Sequence, residues 1–374
     1  MFRLHILLAS VLAGQGLAGK DSGTFASGFS KQRRDGDPTQ PVGTNPIVKF
    51  QTQYLGQQTA NNSCSHRDLG FAGELQGKWY SVFGDTLWCA EPLTDPGEDD
   101  TSQFHGMVRD SLSLLTGDPL VVVDLHLNND SPVRHQTQFV PFDAAWGEDN
   151  TYGFGGTSLF ETTNGDGGIF YLVNANAGGL KGAGVAKVSL VNGEPTVTQR
   201  LGSSAGYWWP AQIYPHYGDK AAFRDPRSPY VYAWGGAPSS VTDAGDAQYI
   251  YLLRVDAADA YDLDKYEYWW GAAGGGWKTG QPLTVSGKEY AVMWGVGQGQ
   301  VVWSPGGYDV LLRTATALEG PWTPDVKVYT ATPIDGGMTY AGVAYPYLDT
   351  SGRTLTISFT NDNHIEVIKV TFSK

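Results

Sequence analysis

Two acidic residues, Asp68 and Asp85, bracket the stretch Leu-Gly-Phe-Ala-Gly-Glu-Leu-Gln-Gly-Lys-Trp-Tyr-Ser-Val-Phe-Gly, whose two halves are rich in aromatic and β-branched residues and hinge on Gln76-Gly77. A hairpin with its turn centred on that dipeptide sets position 68 opposite position 85. Directly opposed residues of antiparallel strands leave the same face, with Cβ atoms about 5 Å apart. Two carboxylates held so close repel, and one tends to keep its proton while the other stays ionised. Cleavage of a glycosidic bond needs that division of labour: a carboxyl separation of about 5 to 5.5 Å suits a retaining reaction and about 6.5 to 9.5 Å an inverting one. As immediate neighbours the two also fit a base and a group that tunes its pKa. The acid would then come from Asp110, Glu148, Asp149 or Asp225. A turn of odd length would slip the register by one and leave both aspartates capping loops.

Side chains able to serve such a site flank these stretches. Arg67, Arg109, His66, His105 and Gln300 could hydrogen-bond sugar hydroxyls or hold a carboxylate ionised, while a structural ion pair accounts equally well for either arginine. The chain has 12 Trp, 20 Tyr and 15 Phe. Trp88, Trp208, Trp209, Trp269, Trp270 and Trp294 are candidate platforms for sugar rings, although sheet packing absorbs most aromatics in a protein of this kind. Nothing has zinc-ligand spacing and the histidines fall singly, so no cofactor is expected. The acidic run Asp95 to Asp100 could hold a structural calcium ion but lacks the ordered ligand spacing of a dedicated loop.

One pattern recurs along the chain: a Gly-rich or aromatic strand, a turn, then a strongly β-branched strand. Five such units start near Asp68, Gly153, Trp208, Gly297 and Tyr340. Their irregular spacing fits propeller blades with long insertions. The last unit is one strand short, and residues 46–54 could supply that strand and join the two chain ends in one blade. The expectation is an all-β, single-domain, five-bladed β-propeller over residues 46–374, its ring closed by an N-terminal strand; a β-sandwich is the alternative.

Residues 1–19 read as a cleavable secretory signal, with Arg3 ahead of an apolar run from Leu4 to Leu12 and small residues after it. The run is too short to span a bilayer. Residues 20–45 read as a disordered tail or pro-segment, with a dibasic site at Arg33-Arg34. Loss of residues 1–34 removes five basic residues and one acid and deepens the formal charge from −13 to −17. So acidic a surface argues against nucleic acid and membranes as partners. In an exported chain Cys64 and Cys89 would pair and clamp the hairpin ends, a contribution of about 3 to 4 kcal/mol on the chain-entropy model. Asn61 and Asn129 head glycosylation sequons. A monomeric extracellular glycoprotein is expected.

The runs Asp68-Leu-Gly70, Gly77-Lys-Trp-Tyr80 and Phe83-Gly-Asp85-Thr86 resemble the opening blade of a five-bladed β-propeller glycoside hydrolase family that includes endo-D-arabinanases, formerly a domain of unknown function (DUF4185-like). Arg109-Asp-Ser111, the stretch Thr314 to Trp322 and the stretch Tyr340 to Phe359 are also similar to that family or its propeller-hydrolase relatives. The resemblance implies glycosidic cleavage at the propeller axis by acids of the first blades, and Asp68 and Asp85 are the positions that carry over. Phe223-Arg-Asp225-Pro226 resembles the Arg-Asp-Pro motif of furanosidase propellers, where the aspartate stabilises the transition state, but here it lies in the third unit instead of the second. No Ser-x-Asp-x-Gly-x-Thr-Trp repeat of sialidases is present. The expected function is hydrolysis of a furanose-containing, arabinan-like polysaccharide or oligosaccharide; the alternative is a propeller lectin.

Overall fold

The computed structural model describes residues 5–6, 43, 47, 49–60, 65–88, 106–128, 135–175, 179–202, 205–284, 287–294, 301–304 and 307–373. They form antiparallel strands linked by turns and single-turn 3-10 helices. The first sheet contains Leu69–Leu75, Lys78–Phe83, Ser111–Leu115 and Val121–Asp124, with Thr59–Ala60 added in parallel at its outer edge. Its opening hairpin turns at Gln76 and Gly77, both with positive φ (49° and 73°). Two left-handed residues make the turn whose twist matches that of the strands, and glycine at the second position adopts it without strain. The register follows: Leu75 faces Lys78, Phe71 faces Val82, and beyond a bulge at Gly70 His66 faces Leu87 and Ser65 faces Trp88.

The second sheet is built from Tyr152–Gly153 and Phe160–Glu161, then Gly167–Ala175, Gly179–Val191 and Glu194–Leu201. The third holds His216–Arg224, Tyr230–Gly236, Tyr249–Asp256, Glu267–Trp269 and Trp277–Thr279. Val301–Ser304, Gly307–Leu312 and Val326–Ala331 make the next sheet, and Thr339–Tyr345, Thr354–Asn361, His364–Phe372 and Phe50–Gln57 the last.

Each sheet buries both faces, which explains near-continuously apolar strands such as Gly167–Ala175. Leu75, Tyr80 and Val82 pack on Ile169, Tyr171 and Val173. Phe170 and Leu172 pack on Tyr217, Val231 and Tyr251. Trp234 and Ile250 meet Ala315, Leu318 and Trp322, Val310 and Leu312 meet Ile357 and Phe359, and Val343, Tyr345 and Ile365 return to Phe83 and Leu115. The cores follow the chain order of the sheets, with the segment 315–322 covering the third sheet and the last sheet returning to the first, and this forms a propeller arrangement.

Among the described residues four of the sheets carry four or more strands, against the five full blades expected. In the unit near Gly297 the described chain leaves the ladder after Leu312, passes through Thr314–Ala315 and Trp322, and spends that segment on the core of the third sheet before returning at Val326. That unit therefore shows three strands. Phe50–Gln57 runs antiparallel to His364–Phe372, from Phe50 opposite Phe372 to Gln57 opposite Glu366. His5–Ile6, inside the segment read as a leader, pairs with Thr314–Ala315.

The two ends of the propeller are distinguished by their turns. Gln76 donates its backbone N–H to Glu161 Oε2 (3.0 Å) and its side-chain amide to Gly165 O (2.6 Å), and Tyr261 OH donates to Gly167 O (2.6 Å). These turns lie at one end; Asp68, Asp85 and the starts of the innermost strands lie at the other.

Candidate active site

Asp68 stands where the opening hairpin meets the last sheet. The Gly84 N–H donates to Asp68 O (2.9 Å), the Leu69 N–H to Thr360 Oγ1 (2.8 Å), and the Arg67 N–H to Asn363 O (2.7 Å). Leu69 and Gly70 take positive φ (66° and 92°) at the bulge that re-aims the chain here. The Asp68 carboxyl accepts from Tyr340 OH through Oδ2 (2.6 Å), while Oδ1 is buried beside Gly84 and the Asp85 amide. A Cβ at position 84 would overlap Oδ1, so glycine is needed there for space and not for its φ.

Burial pushes the Asp68 carboxyl up to about 8, Asp85 adding to the rise and the Tyr340 hydroxyl and Asp85 amide opposing it. It therefore keeps its proton near neutrality. Burial also raises Asp85, but Arg109, its Nη1 3.6 Å from Asp85 Oδ1, counteracts this. The Asp85 side chain remains 32 % exposed, whereas Asp68 is 7 % exposed. One carboxyl is thus walled in and protonated, the other open to solvent and steadied by a cation, and such a split assigns acid and base roles.

Asp110 joins the pair. Its Oδ1 accepts from the N–H groups of Phe139 (3.0 Å) and Val140 (3.1 Å). Burial drives it up to about 7; the two N–H groups and Arg200 oppose the rise and Asp85 adds to it. The residues that follow Asp85 and Asp110 in the chain also meet, Thr86 Oγ1 lying 2.9 Å from Ser111 Oγ.

Other residues singled out from the sequence are placed elsewhere. Arg67 is buried and bidentate on Asp124 (2.9 and 3.2 Å), with Ser113 Oγ at 3.0 Å and the Phe83 ring beneath it, so it braces the first sheet and offers nothing to a ligand. Glu148 is tied to Arg200, whose guanidinium lies over Trp146, Phe154 and Tyr171. Asp149 caps Thr151 on the surface. Asp225 follows the innermost strand of the third sheet at the far end of the propeller, its Oδ1 taken by the N–H and Nε of Arg227. Its sequence motif suggested a catalytic role; the chain direction through the blade carries it away from the pair. Trp209 is core, donating Nε1 to Tyr268 OH (3.0 Å), and Trp208 packs edge-on against Trp209 and Tyr266. Trp269 packs on Trp277, Trp270 on Tyr290, and Trp294 donates to Gly245 O. Trp88 contributes its backbone to the ladder opposite Ser65. Its side chain, His105, Gln300, Cys64, Cys89, Asn61, Asn129 and the run 95–100 lie outside the described residues.

Tyr340 was not singled out as a site residue from the sequence, although it opens the closing unit as Asp68 opens the first. His216, Asp219 and Lys220, clustered on the innermost strand of the third sheet, were also missed. Among the described residues no group of three or more His, Cys, Asp or Glu could hold a metal ion.

A family model described as "Domain of unknown function (DUF4185)" matches residues 198–370. This range includes the stretches Thr314 to Trp322 and Tyr340 to Phe359 and excludes residues 68–86. No curated protein matches the chain. Among solved structures the chain is similar to a GH43_1 enzyme from Xanthomonas citri, at 14 % identity with 85 % of this chain and 90 % of that one covered and a TM-score of 0.45. It is similar to an exo-β-1,3-galactanase from Phanerochaete chrysosporium with galactose (12 % identity, 84 % and 64 % covered, TM-score 0.45). A xylan β-1,4-xylosidase from Bacillus halodurans is a further neighbour (10 % identity, 83 % and 54 % covered, TM-score 0.45). The chain spans less than two thirds of the length of the last two. Each of these neighbours is an enzyme that acts on carbohydrate by its own description, and all three TM-scores lie below 0.5.

Proposed function

We propose that this chain is a secreted glycoside hydrolase that cleaves a furanose-containing, arabinan-like polysaccharide with Asp68 and Asp85. One observation carries the reading: two carboxyls at the open end of one hairpin occupy unlike environments, Asp68 walled in against Tyr340 and Asp85 partly exposed beside Arg109, which lowers it against the rise from burial. In this reading the protonated Asp68 carboxyl gives its proton to the departing glycosidic oxygen as that bond to the anomeric carbon breaks, and the Asp85 carboxylate takes a proton from the water whose oxygen forms the new bond to the same carbon. Asp110 adds a third titrating group that senses Asp85. The furanose preference rests on the resemblance of Phe83-Gly-Asp85-Thr86 to the arabinanase-containing family.

In this reading the three-stranded sheet stands as a fifth blade, and Phe50–Gln57 closes the ring by pairing with the last strand. The leader, the two sequons and a Cys64–Cys89 disulfide complete an exported monomer; the pairing of Ser65 with Trp88, the neighbours of the two cysteines, supports the disulfide. The test is to incubate the mature protein and its Asp68→Asn and Asp85→Asn variants with arabinan, galactofuranan and other cell-wall polysaccharides and to measure reducing ends. Product from the parent alone supports a hydrolase and names its substrate class. Tight binding without product would make the chain a lectin.

A further inference from the structure

The innermost strands of three sheets are interrupted near their starts. The ladder shifts between Leu69 and Phe71 in the first sheet, between Tyr217 and Ala221 in the third, and between Tyr340 and Val343 in the last. The positive-φ residues there are Leu69 (66°), Gly70 (92°), Gly218 (94°) and Ala341 (57°). In the first and last sheets the interruption adjoins Asp68 and Tyr340, the two side chains that meet in the candidate site.

The third sheet has the largest interruption. Tyr217 faces Gly235 and the next pair is Ala221 with Trp234, so Gly218, Asp219 and Lys220 stand where the neighbouring strand has no residue. On either side of them the strand packs regularly: Tyr217 and Ala222 enter the core shared with the second sheet, Ala221 and Phe223 the core beyond Trp234. The outer side of this innermost strand is filled by Tyr230–Gly236. Residues in excess of the ladder there form a bulge near the start of this innermost strand, the end of the propeller that also holds Asp68. Gly218 is needed for the bulge, because a Cβ would overlap Phe170 and its φ is left-handed.

The bulge carries charge. Asp219 Oδ1 accepts from the Gly236 N–H (2.9 Å), and its Oδ2 lies 3.4 Å from Lys220 Nζ and 3.8 Å from His216 Nδ1. His216 Nε2 sits 3.2 Å from Ala211 O and 3.1 Å from Ser239 Oγ. The Lys220 and Asp219 side chains are only 12 % and 6 % exposed. Withdrawing an ammonium and a carboxylate from water is costly even when they pair, and apolar side chains of like volume would serve packing as well or better. An ammonium has three N–H donors, so it can serve Asp219 and a ligand hydroxyl together.

We propose that Lys220, paired with Asp219 on this bulge, donates hydrogen bonds to substrate hydroxyls in the same axial site as Asp68 and Asp85. This deepens the carbohydrate reading above and rests on it. Lys220 positions the sugar and takes no part in proton transfer, so its loss acts on binding and KM and leaves kcat and the pH profile in place.

The experiment titrates the Asp68→Asn protein, which retains ligand uncleaved, with arabino-, galacto- and xylo-oligosaccharides by calorimetry, alone and combined with Lys220→Met or Lys220→Arg. KM is measured in parallel for the single Lys220 variants, with unfolding midpoints as a control for folding. The expected result is about tenfold weaker binding and a KM raised to match for Lys220→Met, about 1.4 kcal/mol, with partial recovery in Lys220→Arg. Undiminished binding by Lys220→Met overturns the subsite and leaves the hydrolase reading standing. A parent that hydrolyses none of the glycans, and whose Asp68→Asn form binds none, overturns both.

Discussion

Asparagine at position 68 should abolish hydrolysis and yet make the protein harder to unfold above neutrality. The Asp68 carboxyl is held at about 8 in the folded chain, against an ordinary value of 3.8. Below about pH 4 both folded and unfolded chains carry the proton, and the site contributes no pH dependence. Between about pH 4 and 8 the unfolded chain releases the proton while the folded chain retains it, so stability falls as pH rises through that window. Each pH unit is worth about 1.4 kcal/mol, which over about four units sets a ceiling near 5 to 6 kcal/mol. Relaxation of the site should leave about 2 to 3 kcal/mol of this. The asparagine amide cannot ionise, and its carbonyl can still accept from Tyr340 OH, so the substitution relieves the cost without orphaning its main partner. Denaturant unfolding of parent and variant at about pH 5 and about pH 8 should show their difference moving in favour of the variant by that amount, with unchanged m-values. Reducing-end assays on the same samples should show activity lost. A stability difference independent of pH would refute the reasoning, because it would mean that Asp68 is already ionised near neutrality.

Gly84→Ala places a methyl group against Asp68 Oδ1; it should cost about 1 to 3 kcal/mol in unfolding free energy and a large part of kcat, because the carboxyl must move. Tyr340→Phe removes a hydrogen bond that lowers the Asp68 pKa. The alkaline limb of the pH–rate profile should therefore move to higher pH, with kcat reduced by about tenfold through loss of orientation. Arg109→Gln removes the cation that lowers the Asp85 pKa, and the acid limb should move to higher pH while the alkaline limb stays in place.

Some of this site is written locally. Gln76-Gly77 imposes a two-residue turn, and alternation on either side of it leaves one register that buries Leu75, Tyr80 and Val82. That register, carried on unbroken, is what sets positions 68 and 85 opposite each other in the sequence; in the structure the bulge at Gly70 puts Leu69 opposite Phe83, and the Gly84 N–H bonds Asp68 O. The recurring strand pattern was legible for a related reason, since each sheet is a meander of strands close in sequence. The blade count was less so: Trp322 and its neighbours read as part of a fourth unit, but tertiary packing assigns them to the core of the third sheet.

What the sequence by itself determined is the hairpin, its turn and its register from Phe71 to Val82, because turn geometry and period-two burial act over a few residues. Only the tertiary structure decided which neighbours the carboxyls of Asp68 and Asp85 have. Arg67 and Arg109 look alike beside their aspartates, yet one is sealed against Asp124 and the other faces Asp85. Trp208 and Trp209 look like sugar platforms but fill a core, because a sheet with both faces covered buries residues that alternation would otherwise expose. Tyr340 reaches Asp68 across 272 positions. That contact, and with it the burial that keeps Asp68 protonated, forms only when the last sheet packs against the first, and no local preference of either segment encodes it.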